Sequence, residues 1–167
     1  MPAAGDEPGG CGAAGERGET GQPSPRASSP AGFELTEHTA DVGLHAWAPD
    51  EAGVFEQAGL GLVSLLYDPG SVASAETYAV EAEAPSDDAL LVAFLNELLY
   101  RIEADAIVFA SVTITELTGT GVSARATGEP LDARRHGSRL GVKAATFHRL
   151  FLGRVASRWE ARVVLDV

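Results

Sequence analysis

Apolar and polar positions trade places with clear periods along most of the chain. Val42, Leu44 and Ala46 alternate with Gly43, His45 and Trp47, the period of two that marks a half-buried strand. Asp50 after Pro49 offers an N-cap to a helix over residues 51–66, in which Val54, Ala58, Leu62, Leu65 and Leu66 share a face. Gly53, Gly59 and Gly61 lower its intrinsic propensity and point to close helix packing. Tyr78, Val80 and Ala82 face one way in a second strand, with Ala79, Glu81 and Glu83 on a wet outer face. Pro85 ends that strand. Ser86, Asp87 and Asp88 then open the clearest helix, to about residue 103, with Leu91, Phe94, Leu95, Leu98 and Ile102 as a wide apolar stripe.

Further strands are expected at 107–117, 121–127, 142–151 and 159–167, the first two joined by the hairpin-length Thr118, Gly119 and Thr120. Two helices with late strands on short turns predict an α+β single domain. The helices should pack on a mainly antiparallel or mixed sheet of about six strands. Residues 128–141 are too long for a tight turn and hold Glu129, Asp132, His136 and three arginines, a candidate functional loop.

Composition narrows the function. Residues 1–30 hold seven Gly and five Pro but no Val, Ile, Leu, Phe, Trp or Tyr, so a disordered tail is expected there and the folded domain over 31–167. The whole chain carries 24 acidic and 12 basic side chains, a net charge of −12. Without the tail the balance is still 20 against 10, so the acidity belongs to the folded part. Such a surface disfavours tight autonomous nucleic-acid binding and suits a cation or a cationic protein partner. Cys11 is the single cysteine, which excludes an intramolecular disulfide and a Cys-rich zinc site. No apolar run approaches a membrane span and no secretory pattern opens the chain, so a cytoplasmic protein without membrane contact is expected.

Four polar points remain as candidates: residues 38–41, the 129–136 loop, residues 143–148 and the closing Leu165, Asp166 and Val167. Asp166 lies on the parity opposite Trp159, Ala161, Val163 and Leu165, beside the end of the chain, where negative charge collects unless a cation is near. Asp41 and Asp166 could meet as oxygen ligands of a hard cation; Arg162 offers the alternative of simple neutralisation. Asp41 could equally cap a turn. Lys143 is the only lysine among eleven arginines, which marks its compact ammonium. His38, His45, His136 and His148 lack paired metal-ligand spacing, and capping or hydrogen-bonding roles are expected of them. There is no P-loop, no G-x-S-x-G elbow and no EF-hand loop.

Taken in order, these pieces resemble the archease family. They are residues 38–43 (HTADVG), the helix from Leu90 to Tyr100, residues 128–132 (GEPLD), His136, residues 142–148 (VKAATFH) and the final LDV, together spanning about 33–167. Phe147 stands where the family often has tyrosine. The resemblance implies a protein cofactor rather than an enzyme. Such a cofactor activates an RtcB-type RNA ligase in tRNA splicing or RNA repair, promoting ligase guanylylation and multiple turnover, and meets RNA only through the ligase. It also implies metal-binding positions at Asp41, Asp166 and Val167, with Ca²⁺ the usual ion and Mg²⁺ or Mn²⁺ as alternatives. Lys143, His38, His136 and His148 become functional candidates near that site. Two other readings compete. One is a stand-alone metal-dependent phosphoester hydrolase with His38 or His148 as base; the other is a chaperone-like interaction module.

Overall fold

The computed structural model of the protein describes residues 29–37, 40–137 and 139–167; residues 1–28 of the expected tail, and His38, lie outside them. In chain order the elements are β1 Gly32–Glu37, β2 Asp41–Ala48, α1 Glu51–Leu66, β3 Glu76–Glu83, α2 Asp87–Ala104, β4 Ile107–Leu117, β5 Gly121–Pro130, α3 Ala133–His136, β6 Ala144–Val155 and β7 Arg158–Asp166. The strands form two antiparallel sheets, a larger one in the order β1-β2-β7-β6 and a smaller one in the order β3-β5-β4. The α+β class stands as read from the sequence, with seven strands among the described residues divided between two sheets rather than about six in one.

Both long helices touch both sheets: α1 packs on β2 and β4, and α2 on β3 and β6. Their side chains explain this placement. Val54, Phe55, Ala58, Leu62, Val63 and Leu65 of α1 are buried around more than one stripe, as are Leu90, Leu91, Val92, Phe94, Leu95, Leu98 and Leu99 of α2. Phe55 and Phe94 meet at the seam with ring centroids 5.8 Å apart. The glycines of α1 serve close approach. A Cβ at Gly61 would collide with Leu44 of β2, and one at Gly59 would come within 3.1 Å of Leu98 on α2.

The helix starts are capped as expected. Asp50 Oδ1 accepts the Gly53 N–H at 2.7 Å, and Ser86 Oγ accepts that of Ala89 at 3.4 Å. Asn96, half-buried on α2, clamps β6: its Nδ2 donates to the Ala145 carbonyl at 3.2 Å while its Oδ1 accepts the Ala145 N–H at 2.9 Å. The start of β6 is thereby fixed against a rigid helix. That start sits beside the end of β7.

Candidate cation site at the end of the larger sheet

Strand parity decides what the outer face of the larger sheet displays. On β2, Val42, Leu44 and Ala46 are buried toward the helices, and on β7 so are Ala161, Val163 and Leu165. The opposite parity therefore points away from the core: Asp41, Gly43 and His45 stand opposite Asp166, Val164 and Arg162 in the antiparallel register. Asp41 and Asp166, distant in the chain, are direct cross-strand partners. Their Cα atoms stand about 5 Å apart in such a pair, and like charges so placed are destabilising unless a cation offsets them. Among the described residues no hydrogen bond or ion pair engages either carboxylate. Arg162 does not neutralise Asp166; its Nη2 goes to Glu160 Oε2 at 3.2 Å, and its guanidinium lies over the Phe151 ring.

Lys143 closes this end of the sheet from the β6 side. Its backbone N–H donates to the Asp166 carbonyl at 2.8 Å, and its Nζ donates to the Val167 main-chain oxygen at 3.0 Å. The resemblance placed Asp41, Asp166, Val167 and Lys143 in one neighbourhood, and the strand register brings them together. The donor chemistry fits a hard cation, since every available ligand atom is an oxygen. The set is also short: among the described residues no group of three or more His, Cys, Asp or Glu side chains could hold an ion. A Ca²⁺ ion takes six to eight oxygens, so water or a partner molecule would complete its shell.

The histidines separate. His148 is exposed on β6 and lines a cleft together with Asp41. His45 lies between two carboxylates, with Nδ1 3.0 Å from Glu34 Oε1 and Nε2 3.0 Å from Glu160 Oε2. Both ring nitrogens therefore face carboxylate oxygens across the outer face of the sheet. Glu160 is buried, which by itself would raise its pKa; hydrogen bonds from Arg158 and His45 outweigh that and hold it below the ordinary carboxylate range. Arg158 also stacks over Trp47 at 5.2 Å. The sequence reading missed Glu34, Arg158 and Glu160 as members of this network, although period-two parity in β2 and β7 already put His45 on the outer face.

His136 belongs to a different cluster. Its side chain is fully buried, and Nδ1 accepts the backbone N–H of Asp132 at 2.9 Å, which places the ring hydrogen on Nε2, 3.1 Å from Glu129 Oε1. The same Glu129 oxygen accepts from Ala73 N–H at 2.7 Å and from Arg135. The Ala73 amide and then the Arg135 guanidinium hold the Glu129 carboxyl down at a pKa of about 2. This clasp ties the loop after β5 to the segment before β3. Among the described residues of the expected candidate loop, residues 128–130 end β5, Ala133–His136 form α3, and the Arg139 N–H bonds back to the Leu66 carbonyl of α1 at 2.9 Å.

A helix pair between two antiparallel sheets, with carboxylates facing each other at the rim of the larger one, defines the class of this molecule. Residues 33–167 match the model of the Archease protein family (MTH1598/TM1083), and the chain belongs to that family. It is 34% identical over 139 residues to Protein archease of Methanosarcina acetivorans, covering 81% of this chain and 95% of that one. Protein archease of Thermococcus gammatolerans is 35% identical, with 81% and 98% covered. The solution structure of Methanobacterium thermoautotrophicum protein 1598 superposes with a TM-score of 0.68 at 34% identity, covering 81% of this chain and 99% of that one. The crystal structure of the Thermotoga maritima archease, described as a possible chaperone, shares the fold at a TM-score of 0.55 and 18% identity, with 80% and 96% covered.

Proposed function

We propose that this protein is an activating cofactor of an RtcB-type RNA ligase, acting through a divalent cation held by Asp41, Asp166 and the Val167 main-chain oxygen. The observation that supports the reading is the pairing of Asp41 with Asp166 in the β2–β7 register. Two carboxylates on neighbouring strands, without an arginine between them, form a rim site whose remaining coordination positions are open to a partner. Ca²⁺, Mg²⁺ or Mn²⁺ would neutralise these oxygens and present a positive centre at the edge of an otherwise acidic molecule. Lys143 orients the end of the chain by holding Val167. The ligase performs the covalent chemistry, and RNA is reached only through it.

The net charge of −12 suits docking on a basic nucleic-acid cleft, so complex formation should weaken with ionic strength. Mixing the full-length protein with an RtcB-type ligase, GTP, divalent metal and RNA ends tests this reading. Many turnovers per ligase with the protein, and about one without it, are expected. Equal turnover in both would remove the activating role. Phosphoester hydrolysis by the protein alone would replace it with the hydrolase.

A further inference from the structure

The outer face of the larger sheet carries a second feature beside the carboxylate pair. β6 loses register with β7: Thr146 stands opposite Val164 and Phe151 opposite Arg162, so residues 147–150 face Val163 alone. An insertion of this size in one strand bends it and re-aims its side chains. Arg149, within the bulge, has φ +52°, a left-handed backbone that a non-glycine residue adopts at a cost. The bulge brings His148 and Arg149 to a cleft of about 400 Å³ that Asp41, Gly43, His45 and Arg162 also line. That volume is in the range of small-molecule sites.

The lining has the chemistry of an anion site with a cation beside it. Arg162 is braced by Glu160 and by the Phe151 ring, so part of its ordering cost is met in advance. No carboxylate among the described residues pairs with Arg149. Gly43 leaves room for a ligand to approach the strand. Asp41 at the same cleft would repel a bare anion, but an anion arriving beside a divalent cation on Asp41 and Asp166 would be balanced.

We propose that this cleft binds the phosphate of a phosphomonoester, with Arg149 and Arg162 donating to its oxygens and His148 as a further donor. The inference rests on the activation reading for its biological source, which is either a nucleotide or the phosphate at the end of an RNA that the ligase holds. Inorganic phosphate, guanosine 5′-monophosphate, and one short RNA ending in either a 3′-phosphate or a 3′-hydroxyl are titrated, with Mg²⁺, into ¹⁵N-labelled full-length protein. Saturable shifts of the Gly43, His148, Arg149 and Val164 amides by inorganic phosphate are expected. Tighter binding of the nucleotide, or of the 3′-phosphate RNA over its hydroxyl twin, names the source.

Arg149→Asn removes the guanidinium while tolerating the left-handed backbone, and should weaken phosphate binding at least about tenfold. Arg149→Lys, a point charge without the planar fork, should fall between. Shifts that do not saturate, or that Arg149→Asn leaves unchanged, would overturn the proposal. Ligase turnover read in parallel separates the two claims. Phosphate binding without activation supports the cleft and removes the activating role; activation without phosphate-dependent shifts does the reverse.

Discussion

Glu129 and the Asp41–Asp166 pair are both carboxylate centres placed by β-strands, and they are completed to different degrees. At Glu129 one oxygen collects an amide, a guanidinium and a buried imidazole, and the loop that carries those groups is pinned by them. At the rim of the larger sheet two carboxylates face each other across β2 and β7, and neither Lys143, bonded to Val167, nor Arg162, bonded to Glu160, pairs with them. A polar cluster that satisfies itself holds a fold together. One that leaves like charges opposed costs stability, and that cost is met only when something outside the chain binds.

The contrast can be broken from either side. The largest effect is expected at the rim: Asp41→Asn or Asp166→Asn should abolish ligase activation while far-UV circular dichroism stays native. In cation-free buffer either variant should be slightly more stable, by about 0.5 kcal/mol, because a repulsion is removed. Full activation by both variants would detach the pair from function. At the clasp the order reverses. His136→Ala strands the Asp132 N–H, opens a cavity and should cost about 2–3 kcal/mol in urea unfolding, while the folded fraction keeps its activity.

Acid sharpens the same contrast. The Glu129 pKa is about 2 when folded against an ordinary 4.5, so its contribution to stability is complete above pH 4.5 and is lost as pH falls toward 2. Glu160, also held low, acts in the same direction. Denaturation midpoints measured across that window should fall less steeply for Glu129→Gln than for the parent chain. The smallest effect is expected at Lys143. Lys143→Gln removes a positive charge from the Val167 oxygen and should tighten Ca²⁺ binding about threefold to tenfold in calorimetry.

What the sequence disclosed follows from what periodicity encodes. The parity of Asp166 against Ala161, Val163 and Leu165 correctly put it on the face away from the core, and the helix caps at Asp50 and Ser86 were legible as local chemistry. The β4–β5 hairpin was legible too, because its partners are neighbours in the chain. Period two says which residues share a face, not which strand lies alongside, so the β2–β7 pairing and the division into two sheets were invisible. β1 carries only a weak signal: Phe33 and Leu35 alternate with Glu34 and Thr36, but the strand is short and abuts the Gly- and Pro-rich tail. The periodicity of residues 142–151 predicts an unbroken strand, since nothing in Phe147, His148, Arg149 and Leu150 marks a left-handed residue in advance of the bulge. His136 drew attention as a histidine in a polar loop. Its burial, which makes it a clasp, depends on the tertiary contact with Glu129.

Calorimetric titration of the full-length protein with Ca²⁺, alongside Asp41→Asn and Asp166→Asn, bears most directly on the rim site. One ion per chain for the parent and none for either variant is expected. Equal binding by all three, or no binding by the parent, would contradict the assignment of these two aspartates as the cation's ligands.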